Sequence, residues 1–501
     1  MRKHTAKLLS VVMLLSLILS ACGPTATPQT VVVTAPPQVV TAPPQVQVQT
    51  VEVKQTVMME PTAVPTEIPA DYASRVPIRW FVGLGAGTRP NDIEAQNQVV
   101  DEFNKSQDKI YLQLEIVPNA SAYQILQTEI AAGNAPDIVG PVGIRGFNGF
   151  QGLWMDLAPY IASTNFDMTD FDPGQIDAYK LPGEGQIGIP FGVFPSFMWY
   201  NKALFDEAGL PYPPHKFGEK YDGKDWDIAA LEELAMKLTV DSNGEDATSA
   251  NFDPAAIEQY GFAMQWTDPR GTATIFGPGK FVADDFATAQ IPDNWRTAFK
   301  WFYEGMWTKH FIPTDTAVNS DLLANGNPFN SGHIGMVHCH LWYTCCVDTG
   351  DKAAVKDWDI AVVPSYNGTY TAKLHADNFR IFKSTAHPDE AFEVLSYLLG
   401  PAAPKLLLTY GGFPARKSLQ ANFLTSIDAK FAPAKINWQV ALDSINYPDN
   451  PSHEGDMPNF LKADDRIKAF GTLYGGTDGL DIDAELDKLM TDLQVIFDEV
   501  K

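Results

Sequence analysis

The spacing of apolar positions changes period several times along the chain, and each change marks an element. The run Ile78-Arg79-Trp80-Phe81-Val82 predicts a buried strand that ends in a glycine loop over 83–87. Asn91 or Asp92 can cap a following helix that carries Ile93, Val99, Val100 and Phe103 on one face. Alternation over 110–117 predicts a second strand. A second helix over 123–132 is closed by Gly133, and Asp137-Ile138-Val139 reads as a short third strand. Strand, helix, strand, helix, strand is the order of a parallel α/β sheet. Later segments repeat the theme, with strands predicted over 186–189, 196–200, 260–264, 332–339, 358–363 and 378–382. Helices are predicted over 202–208, 226–238, 292–303, 388–399, 401–409 and 483–500. Pro292, Pro388 and Pro401 each stand where a first helical turn tolerates proline.

The N-terminal 75 residues follow none of these periods. Arg2, Lys3 and Lys7 precede an apolar stretch over 8–19, too short to cross a bilayer. Leu19-Ser20-Ala21-Cys22 then has the form of a bacterial lipobox, in which small residues fit the peptidase and the cysteine thiol takes a lipid. The expectation is a lipoprotein signal peptide over 1–21 with lipidation at Cys22; an ordinary secretory cut near Ala21 is the other reading. Residues 22–75 read as a tether. Thr34-Ala35-Pro36-Pro37-Gln38-Val39 repeats as Thr41-Ala42-Pro43-Pro44-Gln45-Val46, and repeated prolines favour extended polyproline-II coil. No later stretch is apolar enough to span a membrane, so the acyl chains are the expected attachment, at the extracytoplasmic face.

Composition narrows the class. At 501 residues the chain needs more than one core, and 45% apolar with 11% aromatic residues can build them. A formal charge of −25 argues against nucleic acid and anionic lipid heads as partners. Cys339, Cys345 and Cys346 are an odd set outside the leader, so no disulfide framework carries the fold.

Several stretches resemble a known family. Ile130-Ala131-Ala132-Gly133-Asn134-Ala135-Pro136-Asp137-Ile138-Val139 is similar to the "IAAGNAPDVV" stretch of extracellular solute-binding proteins of the maltose-binding, sugar-uptake class. Ile189-Pro190-Phe191-Gly192, then Tyr200-Asn201-Lys202-Ala203-Leu204-Phe205, resembles their "GLPYG…YYNKDLF" segment. Gly332-His333-Ile334-Gly335-Met336 resembles "G+VAM". His387-Pro388-Asp389-Glu390-Ala391 and Gly411-Gly412-Phe413-Pro414-Ala415-Arg416 resemble "HPEEAW…GGFPAR". Each motif also has a structural reading, as a helix cap or a strand-to-helix turn, but together they keep the family's order from about Ile78 to Arg416. The resemblance implies an α/β, two-lobed, periplasmic-binding-protein-like (type II) fold with a hinge and an interlobe cleft. Lobe 1 is expected over 76–192 plus about 364–429, and lobe 2 over 193–363 plus about 430–501. It also implies a non-enzymatic, monomeric binding subunit of an ABC importer. Such a subunit would deliver a mono- or oligosaccharide to permease subunits, with no cofactor and no metal.

A sugar site needs flat aromatics for C–H faces and polar groups for hydroxyls. By family position, Trp342 follows a strand where the resemblance places a stacking tryptophan, and Phe194 lies on the linker strand. A carboxylate stands at that place in the maltose-binding pattern, and core packing is the other reading of Phe194. Trp266 follows the strand over 260–264. Asp377 and Asn378 begin the return strand, and His340 and Tyr343 flank Trp342. Arg89 follows the glycine loop and reaches either the cleft or solvent. Arg145 lies in a family cleft loop or pairs with a surface acid. His338, His340 and Cys345 raise zinc or copper, but the spacing of a metal site is absent. A Cys345–Cys346 or Cys339–Cys345 bridge fits an exported chain better. Asp241 to Asp246 faintly resembles a calcium loop, and a solvated turn is the better reading. Arg89 and Arg145 keep an organic-acid ligand open, alongside a peptide or polyamine; a glycoside hydrolase would need two placed carboxylates.

Overall fold

The first strand, β1 (Val76–Val82), lies between β2 (Ile110–Ile116) and β3 (Ile138–Val142), parallel to both. Helices Pro90–Ser106 and Asn119–Ala131 make the two crossovers. Ala95, Val99 and Phe103, spaced at four residues, form the buried stripe of the first helix. Trp80 is fully buried in β1, and its indole nitrogen donates to the Gly140 carbonyl at 2.7 Å, which satisfies the ring's one polar atom. At Gly83, with φ +151°, a Cβ would stand 2.2 Å from the Val117 carbonyl oxygen, so the turn after β1 requires glycine.

The computed structural model describes residues 68–500 except 86, 182, 266–270, 272, 325 and 450–454. Cys22, the leader, Trp266 and the tether up to residue 67 lie outside the described residues. Those described belong to one unit, Met58–Lys501.

The long strand β4 (Ile189–Asn201), buried at all 13 positions, organises the rest. Its first half pairs antiparallel with β8 (Leu374–Ile381), from Phe379↔Ile189 to Leu374↔Pro195. Its second half pairs with β6 (Ile334–His340), from His340↔Ser196 to Met336↔Tyr200, and with β7 (Trp358–Ala361). The partners change between Pro195 and Ser196, and Pro195 has no N–H to give a ladder. Beyond β8 lies β3; beyond β6 lies β5 (Ile257–Met264), parallel to it, then Val240–Asp241. The result is an α/β sheet of two halves joined through β4 and β8, the two-lobed architecture expected.

Pro388–Leu399 and Ala403–Tyr410 cover the first half. Asp293–Trp307, Phe460–Gly476 and Ile482–Asp498 pack together on the second, where Phe299 meets Phe470 edge-on at 5.3 Å. Three details differ from expectation. The strand expected over 196–200 starts earlier, at Ile189, and of the one expected over 186–189 only Ile189 belongs to it, Gln186 pairing instead with Lys180 in a short hairpin. The return strand begins at Leu374 rather than 378. The helices Lys417–Phe431, Gln439–Ser444 and Phe460–Gly476 were not predicted. The turn after Asp241 is solvated as expected, with Ser242, Asn243 and Gly244 exposed, while Asp241 itself is buried and accepts from the Asn243, Glu245 and Asp253 amides at 2.8, 3.0 and 2.8 Å.

Candidate ligand site at the strand crossover

Where β4 changes partners, the end of β6 and the start of β8 meet, and four rings gather. Trp342 stacks on His340 with centroids 4.0 Å apart and planes at 21°. His375 stands 4.7 Å from His340 and 5.0 Å from Trp342, and Phe194 stands 5.8 Å from Trp342. His340 and Phe194 are buried, whereas Trp342 and His375 keep partial exposure. Trp342 is held by a short 3-10 turn, Leu341–Cys345, that ends in a Cys345–Cys346 disulfide; Cys339 is a buried free thiol pushed up to about 12 by burial. Tyr343 points the other way. It is fully buried against Trp199, and its hydroxyl lies 3.0 and 2.8 Å from the side-chain oxygens of Asn327 and Asn330.

A cleft of about 980 Å³ opens beside this cluster. Gly143, Ile144 and Phe147 from the first half line it, His375 and Asn378 come from β8, and Asp449 comes from the segment after Gln439–Ser444. The pairing of β8 with β4 shifts register between Asp377 and Asn378, and a bulge of this kind re-aims the two side chains. Both amide atoms of Asn378 are buried without a hydrogen-bond partner among the described residues. The Asp377 carboxylate faces the ends of β1 and β3: a Cβ on Gly143 would lie 2.9 Å from Oδ1, and one on Gly85 4.0 Å from Oδ2. Burial alone pushes the Asp377 carboxyl up to about 7. Buried polar groups left without partners are uncommon in folded chains, and their clustering beside a cleft marks a place where a ligand can complete the bonding.

The two arginines are committed elsewhere. Arg89 forms a fork on Asp92, Nε to Oδ2 and Nη2 to Oδ1 both at 2.8 Å. It also donates to the Thr409 carbonyl at 3.0 Å and to Cys346 Sγ at 3.1 Å. It is therefore neither simply solvated nor among the cleft-lining residues. Arg145 lies over the Tyr123 ring at 4.8 Å and pairs with Asp464 and, at 3.0 Å, with Asp465, both in the first turns of Phe460–Gly476. Asp464 is fully buried, so the partner is not only a surface acid, and the pair joins the two halves of the fold.

The sequence did not single out His375, Tyr179 or Lys373. The alternation of β8 was the available signal for His375, which stands two residues before Asp377. Lys373 forms a buried pair with Asp449 at 3.0 Å, and Tyr179 donates to the Ala376 carbonyl at 3.0 Å. His338 is also buried, and burial lowers its imidazole to about 4. Among the described residues no group of three His, Cys, Asp or Glu side chains is arranged to hold a metal.

A sheet of two halves sharing long strands, with a cleft where they meet, defines a two-lobed solute-binding protein. Residues 89–404 match the family described as "Bacterial extracellular solute-binding protein", and the chain belongs to that family. A protein of Brucella abortus (strain 2308) named as a binding protein is 24% identical over 370 residues, covering 69% of this chain and 81% of its own. The ABC substrate-binding protein of Listeria monocytogenes solved with cycloalternan superposes with a TM-score of 0.64 at 20% identity, over 85% of this chain and 98% of that one. The maltose/maltodextrin-binding domain from Bdellovibrio bacteriovorus bound to maltotriose gives 0.61 at 16% identity, over 85% and 99%.

Proposed function

We propose that this chain is the lipid-anchored, carbohydrate-binding subunit of an ABC importer. It captures a mono- or oligosaccharide outside the membrane and presents it to permease subunits. The observation that carries the reading is the bulge at Asp377–Asn378, which puts the buried Asn378 amide, without a hydrogen-bond partner among the described residues, on the cleft wall and the Asp377 carboxylate beside the cleft-lining Gly143. An amide offers two donors and an acceptor, and a carboxylate offers only acceptors, which together suit a rim of hydroxyls. The exposed part of Trp342 supplies a face for a ring, with Phe194 5.8 Å from it. Sugar ligands in the Listeria and Bdellovibrio structures point the same way. Arg89 and Arg145 are bound up in ion pairs, which removes the feature that favoured an organic acid. The chain performs no covalent chemistry; it acts as a monomer, closing around its ligand by movement about β4 and β8. The lipid on Cys22 and the tether hold it near the transporter.

Thermal-shift screening of the purified protein against sugars, polyamines, peptides and organic acids tests this. A sugar should raise the melting temperature in a concentration-dependent way. Stabilisation by a member of another class alone would overturn the carbohydrate reading.

A further inference from the structure

The charges around the cleft are unevenly matched. Lys280 pairs with Asp456 at 2.7 Å and Lys373 with Asp449 at 3.0 Å, while Arg145 and Arg89 are held by Asp464, Asp465 and Asp92. Arg380 is fully buried behind the cleft-lining Phe147 and Tyr179 rings, and its Nε and Nη2 have no hydrogen-bond partner among the described residues. Its guanidinium lies 4.4 Å from the Phe147 ring and 4.9 Å from the Tyr179 ring, and Nη1 donates to the Ile187 carbonyl. Lys417 lines the rim and is exposed, so water already solvates it. Against these stands Asp377, whose carboxylate has no partner among the described residues.

We infer that the site selects its sugar by charge, accepting rings that are neutral or carry a protonated amine and rejecting rings that carry a carboxylate, with Asp377 as the determinant. The inference rests on the carbohydrate reading above and names the subclass of ligand. A hydroxyl or ammonium donor reaching Asp377 gains a charge-assisted hydrogen bond in a place of reduced solvation. A ligand carboxylate loses its hydration, meets Lys280 and Lys373 already paired with acids and Arg380 shielded behind the Phe147 and Tyr179 rings, and comes near Asp377 beside the cleft-lining Gly143. Burial accounts for the raised Asp377 carboxyl, and no charged group among the described residues compensates it. A ligand donor would supply that compensation and draw the group to its ionised form.

Intrinsic tryptophan fluorescence titrations with matched sugars test the inference. The probes are glucose, glucosamine and glucuronate, the galactose counterparts, and maltotriose, chitosan trimer and trigalacturonate. The neutral or amino member of a bound set should bind at least tenfold more tightly than its acid. Asp377→Asn should shrink that ratio to within a few-fold, and Asp377→Glu, which retains the charge, should keep most of it. Thermal melts establish that each variant is folded. A carboxylate sugar binding wild type as tightly as its neutral counterpart overturns the inference. So does an unchanged ratio in folded Asp377→Asn. Binding by no sugar in any set would instead remove the carbohydrate reading itself, and this inference with it.

Discussion

The Trp342 indole lies nearly parallel on the His340 imidazole, 4.0 Å between centroids, so one face is supported by protein while the ring keeps partial exposure. A ring held in this way loses little freedom when a sugar stacks on it. Trp342→Ala should weaken sugar binding by tenfold or more, about 1.4 kcal/mol. Its effect on the melting temperature should be small, because the side chain is only partly buried. Wild-type affinity in the variant would remove Trp342 from the site.

Arg145 joins the first half of the fold to Asp464 of the second, and Asp464 also pairs with Lys468 at 3.0 Å. Arg145→Ala leaves a buried carboxylate with one cation fewer, at a cost of about 2 kcal/mol to the contact between the two halves. Small-angle scattering should show a larger radius of gyration for the ligand-free variant than for wild type, and its ligand affinity should fall. Identical scattering curves would mean that the pair does not hold the halves together.

Acid sensitivity follows from His338. Its folded-state value of about 4 lies below the ordinary 6.5 because burial disfavours the imidazolium. The unfolded chain therefore binds more protons between those values. The stabilisation is complete above about pH 6.5 and is lost as the pH falls toward 4, by roughly 3 kcal/mol. His338→Leu should flatten the decline in melting temperature across that window. An unchanged slope would place the acid sensitivity elsewhere.

Attachment to the membrane is a separate matter. Cys22→Ser should release the protein into the soluble fraction when it is expressed in a bacterium that processes lipoproteins, with sugar affinity unchanged. Continued membrane association of that variant would exclude lipidation at Cys22 as the anchor.

Much of the fold was legible in the sequence because its parallel half is built from regular periods. The apolar run of β1 and the four-residue spacing of Ala95, Val99 and Phe103 are local signals. The last helix, expected over 483–500, is present at Ile482–Asp498, but two long helices before it were missed. Phe460–Gly476 contains Gly471, Gly475 and Gly476, which weaken a helical signal, whereas Lys417–Phe431 carries Phe423, Ile427 and Phe431 at a four-residue spacing that was legible and overlooked. Their stability comes from contacts with distant segments, such as Phe470 on Phe299. The site was only half visible. Trp342 follows a strand end that position alone could suggest, whereas Asp377 and Asn378 lie in the middle of a strand expected to start at them. The partners that take Arg89 and Arg145 out of contention, Asp92 apart, lie hundreds of residues away: Thr409, Cys346, Asp464 and Asp465. The bulge that turns Asp377 and Asn378 to separate tasks depends on the register between β8 and β4, which no local pattern encodes.

The central claim, that this chain holds a sugar in the cleft beside the β4 crossover, is tested most directly by isothermal titration calorimetry. Wild type and Asn378→Ala should be titrated in parallel with neutral mono- and oligosaccharides. The account predicts saturable binding at one site per chain by at least one of them, weakened severalfold or more in the variant. Saturable binding that Asn378→Ala leaves untouched, or no heat from any sugar, would contradict it.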